Sequence, residues 1–220
     1  MNRNIYSLLL MDDVVQAVDR LAYAKNTSRS NMINQILAEY LSVKTPEQRT
    51  HDIFQRIQML MDRQSAFQIQ LQASDAMLSL RTALAYKYRP TVRYSVELFR
   101  SDPRVLGELR VLARTQSAAL LQLLDSFFRL WEGLENSHLS HLYPDGTPCR
   151  IENGRYCRAL FWPDAACTNE QLGEAISAYI QRFDHSLKAF LELDEHNWKE
   201  GIEKISLDYQ KEMEEETILL

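Results

Sequence analysis

The chain has 220 residues, 45% of them hydrophobic and 25% charged, with a formal net charge of −5. That is enough for one large domain or two small ones, and the balance is that of a soluble globular protein. No apolar run is long enough to cross a bilayer, and the N-terminus lacks the pattern of a secretion signal. Three cysteines, Cys149, Cys157 and Cys167, are an odd number that favours a reducing compartment over a disulfide framework. A cytoplasmic protein is expected. The charge is unevenly spread. Between Arg81 and Arg114 eight basic residues stand against three acidic ones, whereas the chain beyond Asp194 is acidic. A global acidic balance does not exclude nucleic-acid binding, because local patches set the field at a contact surface.

In chain order, the run Asn4-Ile5-Tyr6-Ser7-Leu8-Leu9-Leu10 reads as a short strand. Val14, Val15, Val18, Leu21 and Ala22 then form one helical stripe, with Asp12 or Asp13 as its cap and Asn26 at its end. Ser28-Arg29-Ser30 opens a second helix, whose stripe is Met32, Ile33, Ile36, Leu37, Tyr40 and Leu41. Pro46 and the polar stretch around it follow as a linker or a new start. So small a strand–helix–turn–helix plan cannot bury its own apolar face and implies a partner copy.

These residues resemble the ribbon-helix-helix DNA-binding proteins of the Arc, MetJ and CopG group. The likeness rests on the strand, Val18-Asp19-Arg20-Leu21-Ala22, the Ser28-Arg29-Ser30 turn and the helix ending Ala38-Glu39-Tyr40-Leu41, about a fifth of the chain. It implies that two units pair their strands into a ribbon lying in the major groove. It also implies that the start of the second helix holds phosphate. Tyr6, Leu8 and Leu10 would then face inward, and Ile5, Ser7 and Leu9 outward. Ile5 and Leu9 depart from the polar outward face usual in that group; they can touch thymine methyls but cannot make bidentate hydrogen bonds to bases. Arg3, Asn2 and Asn4, with Ser28, Arg29, Ser30 and Asn31, would contact phosphates.

The remainder is expected to be mainly helical. Ile53, Phe54, Ile57, Leu60 and Met61 mark a helix from Pro46 to Arg63. Phe67 to Gln72 alternates as a strand, and Ser74 or Asp75 caps a helix through Tyr86. From Tyr86 to Tyr94 bases and aromatics interleave, which suits either a solvated turn or nucleic-acid contact through Arg89 and Arg93. A strand over 92–99 leads through Ser101-Asp102-Pro103 into a stripe of Val105, Leu106, Leu109, Leu112 and Ala113, then into Leu120 to Trp131. That order is either a second, weaker copy of the N-terminal motif or an unrelated helical hairpin preceded by a strand. Asn153-Gly154 signals a hairpin over 149–160. Helices follow from Asp164 or Thr168 to Leu193 and from Asn197 onward.

The expected class is therefore mainly α with a few short strands. Residues 1–45 form a ribbon-helix-helix unit and 46–220 a larger helical region. The expected function is a DNA-binding transcriptional regulator, a repressor or autoregulator, acting as a homo-oligomer. Its partners are double-stranded DNA and a protein or small-molecule effector on the C-terminal region, with no membrane. The alternative is a protein–protein assembly module without DNA. No glycine-rich phosphate loop or nucleophile elbow is present, so neither an enzyme nor a cofactor is expected. His138, His141, Cys149 and Cys157 lack the close cysteine pair of structural zinc sites, so no metal is expected either. Cys149 and Cys157 are placed to face each other across the hairpin.

Overall fold

The computed structural model describes all residues except 1–4, 6, 71–73, 101, 164–165, 217 and 219. The chain divides into two compact units, Met1–Arg49 and Thr50–Leu220.

In the first unit, α1 (Asp12–Ala24) and α2 (Arg29–Tyr40) close a small core of Val18, Ala22 and Met32, with Ile33 packed against it. Asn26, at φ 47°, takes the left-handed turn that ends α1, and the Thr27 N–H donates back to the Ala22 carbonyl at 2.9 Å. Ser28 caps α2 by accepting the Asn31 N–H at 3.2 Å. Asp12 and Asp13 make no cap hydrogen bond; they lie inside the first turn of α1, where negative charge complements the helix dipole.

The expected N-terminal strand is not formed. Ile5 and Ser7–Met11 have no ladder partner, and Ile5 and Leu9 are fully exposed. The helix pair thus stands without a strand, and the unit is not a ribbon-helix-helix unit. A single strand has no one to share its N–H and C=O groups with, so alternation in sequence alone does not hold it in a ladder.

The second unit overturns the mainly α expectation. Six antiparallel strands, β1 (Gln68–Gln70), β2 (Met77–Ala83), β3 (Thr91–Leu98), β4 (Val105–Arg114), β5 (Cys149–Glu152) and β6 (Arg155–Phe161), form one sheet in the order β1-β2-β3-β4-β6-β5. Four helices complete the α/β unit: α3 (Pro46–Asp62), α4 (Ala118–His138), α5 (Asn169–Leu191) and α6 (Trp198–Glu215). Their stripes, such as Ile53 and Ile57, Leu124 and Phe128, Ile180 and Phe183, and Ile205 and Tyr209, share a single core with the inward strand residues. The other sheet face carries Ser95, Glu97, Glu108, Arg110 and Cys157, which are half-buried, and exposed Arg93 and Arg155. Such one-sided burial suits an antiparallel sheet.

Two expected helices are strands. β2 replaces the helix through Tyr86: Leu78, Leu80 and Thr82 are buried while Arg81 is half-exposed, a period of two that a leucine-rich composition obscures. β4 replaces the helix after Pro103. A bulge between Val105 and Gly107 shifts the register against β6, so buried residues fall at 106, 107, 109, 111 and 113. That irregular start imitates a helical stripe. Asp102, read as a helix cap, accepts the backbone N–H groups of Arg104 at 2.8 Å and Val105 at 2.9 Å in a turn. With a strand rather than a helix after β3, the 93–131 stretch is not a second copy of the N-terminal plan.

Candidate nucleic-acid interface

Arg3 and Asn4 lie outside the described residues. Ile5, Ser7 and Leu9 are exposed, with Leu8 and Met11 beside them at 62% and 74% exposure. Leu10, expected to face inward, is itself 38% exposed.

At the other end of the helix pair, Arg29 donates from Nε and Nη2 to both carboxylate oxygens of Asp19, each at 2.6 Å. This two-point bond is the main reason the Asp19 carboxyl sits below its usual range. Arg29 therefore ties α2 to α1, and the expected phosphate contact becomes the task of its neighbours. Asn31 is similarly engaged, its Nδ2 donating to Thr27 Oγ1 at 2.8 Å. Ser30 is exposed, and the first turn of α2 contains no acidic residue. The first backbone N–H groups of a helix have no intrahelical acceptor and sit at the positive end of its dipole.

Arg89 and Arg93 belong to the second unit. Arg89 is exposed in the β2–β3 connection, where Tyr88 and Arg89 both take positive φ, 65° and 44°. Arg93 is on the open face of β3, opposite Arg81 on β2 and Leu112 on β4, and Leu112 is in turn opposite Arg155 on β6. Arg114 follows on the same face of β4, opposite Thr91. Among the described residues none of Arg81, Arg89, Arg93, Arg114 and Arg155 has an ion-pair partner; Arg81 donates only to the Gln68 amide oxygen at 2.9 Å. Like charges left facing each other across strands are unfavourable unless an anion joins them. Farther along the same face the charges cancel: Arg110 binds Glu108 at 2.5 Å and also Glu97, and Arg150 binds Glu108 at 2.9 Å. These residues, with Glu152, Arg155 and Cys157, line a hollow of about 240 Å³.

Cys149 and Cys157 occupy opposite faces of the sheet, since Cys149 pairs in register with inward Arg158 and Cys157 with outward Arg110. They do not face each other. Burial, then a hydrogen bond to Glu132 at 3.3 Å, pushes the Cys149 thiol up to about 12, so it stays protonated and unreactive.

The sequence reading missed a buried polar cluster in the second unit. Arg158 Nε donates to Glu135 at 2.8 Å, and both side chains are at most 1% exposed. Tyr156 and Tyr179 hydroxyls donate to the same carboxylate at 2.6 and 3.0 Å, and Trp131 Nε1 donates to the Tyr179 hydroxyl at 3.0 Å. The Arg158 guanidinium also lies 5.1 Å from the Tyr179 ring centroid. A signal existed: Arg158 falls between Tyr156 and Leu160 on the inward alternation, and Glu135 follows Phe128 and Trp131 at helical spacing. Opposite charges on two apolar stripes point to a buried pair.

No protein-family model, curated protein or solved structure matches the chain.

Proposed function

We propose that the chain is a DNA-binding transcriptional regulator acting as a homo-oligomer, a repressor or autoregulator. The N-terminal unit contacts duplex phosphates, and the second unit supplies oligomerisation or effector binding. The observation that carries this reading is the start of α2: an exposed, serine-capped helix end with no acidic residue in its first turn. There the free N–H groups and the dipole favour an anion. The unpaired arginines around Arg93 supply a second basic surface in the same chain. The exposed Ile5, Leu8, Leu9 and Met11 are the part of the unit that a second copy would cover.

Ser30→Glu tests this directly. A carboxylate in the first turn stabilises the helix by roughly 0.3–1 kcal/mol through the dipole but repels phosphate. The expected result is unchanged or slightly raised helix content and about ten-fold or greater loss of affinity for duplex DNA in fluorescence anisotropy. Unchanged affinity removes α2 from the interface.

The apolar character of Ile5 and Leu9 favours a second reading, a protein–protein assembly module without DNA. In that case Leu9→Glu dissociates the assembly, and no duplex binds at low salt.

A further inference from the structure

Helix α6 ends at Glu215, and at Glu216 the backbone turns extended, at φ −72° and ψ 123°. The chain then runs inward. Glu216 Oε1 accepts from Arg182 Nη1 at 2.6 Å, and that pair is 16% and 4% exposed. Ile218 packs against the core and Leu220 is within it, 6% exposed. The Leu220 carbonyl oxygen accepts from Nη2 of Arg158. A short tail thus delivers one carboxylate, one carbonyl and two aliphatic side chains to a chamber already fitted with polar groups. Its walls are Trp131, whose ring centroid is 5.0 Å from that of Tyr209, Tyr179, and the Arg182 guanidinium, 5.4 Å from the Tyr209 ring.

The charges say what such a chamber takes. Arg158 keeps a resident carboxylate, Glu135, whether or not the tail is seated. Arg182 does not: among the described residues Glu216 is its only ion-pair partner, and its Nε is buried with no hydrogen-bond partner at all. Glu212, one turn earlier on α6, lies in the field of Arg182 but is exposed and makes no bond to it. A buried guanidinium left without a counter-ion is costly, so whatever replaces the tail must bring one negative charge. It must also fill the apolar space of Ile218 and Leu220. We infer that Arg158, Arg182, Tyr179, Tyr209 and Trp131 form a binding site for a small apolar monocarboxylate, held in the resting chain by its own tail at Glu216, Ile218 and Leu220. The site gives the effector of the regulator reading a place, but it is tested on the protein alone, so it stands or falls separately from DNA binding.

The probe is sodium octanoate, with octanamide as its neutral counterpart, titrated into the full-length protein while tryptophan emission is followed. Octanoate is expected to give a saturable change and octanamide none. In Glu216→Gln/Leu220→Ala the tail competes less, so the binding-competent fraction rises and octanoate is expected to bind about ten-fold more tightly. Arg182→Gln is expected to abolish binding. Glu216→Gln alone, which still seats Leu220, replaces the double variant if that fails to fold. Equal binding of octanamide, affinity in the tail variant no better than in the unaltered chain, or no saturable binding to either overturns the proposal.

Discussion

Glu135 and Arg158 show what single residues decide in this molecule. Both are in the core, and the pair persists because Tyr156 and Tyr179 occupy the remaining carboxylate lone pairs. Removing one partner strands the other: Glu135→Gln is expected to cost about 3–5 kcal/mol of unfolding free energy, read from urea denaturation. The tyrosines make a separate prediction. Burial raises the hydroxyls of Tyr94, Tyr156, Tyr179 and Tyr209 above their usual range, with Asp184 adding to it at Tyr94 and Glu135 at the other three. The folded-state values are raised, so the stability they contribute is intact below the unfolded tyrosine value of about 10 and is lost as pH rises beyond it. Stability is expected to be flat with respect to these groups below about pH 10 and to fall above it by up to ~1.4 kcal/mol per pH unit for each tyrosine. Their phenolate absorbance is expected to appear only with unfolding. Ionisation of all ten tyrosines while the chain stays folded would contradict this.

The elements separate what the sequence displays from what it hides. The helical stripes of α3, α4, α5 and α6 were legible because their period runs unbroken; Thr168 even announces α5 with a full capping box to Gln171. β3 and the β5–β6 hairpin were legible from alternation and from Asn153-Gly154, whose φ values of 48° and 72° are those of a type I′ turn. β2 and β4 were not, because their hydrogen-bond partners are distant in sequence and pairing overrides the local leucine preference. The bulge at Gly107 is the clearest case. A Cβ there would meet the Glu97 carbonyl oxygen at 2.1 Å, so this glycine is what lets β4 lie against β3. Gly107→Ala is expected to cost roughly 1–3 kcal/mol by overpacking and to weaken amide-exchange protection first at Leu98 and Phe99. Unchanged stability would show that the backbone yields there without strain.

At the scale of the whole molecule, the two units differ in how far they satisfy themselves. Thr50–Leu220 closes a large core of its own, whereas Met1–Arg49 buries only Val18, Ala22 and Met32 and leaves Ile5, Leu8, Leu9 and Met11 in water. The need for a partner was readable in the sequence, since two short amphipathic helices cannot form an adequate core. The basic surface was half readable. Arg89 and Arg93 stood out by their neighbours, but Arg81, Arg114 and Arg155 join Arg93 only through cross-strand register, which local patterns do not encode. The central claim, that this chain engages duplex phosphates, is tested most directly by anisotropy of a labelled DNA duplex titrated with the full-length protein at two salt concentrations. Binding is expected at about 50 mM salt and should weaken by roughly 10³-fold at about 200 mM if some six phosphates are neutralised. An absence of binding at the lower salt would contradict it.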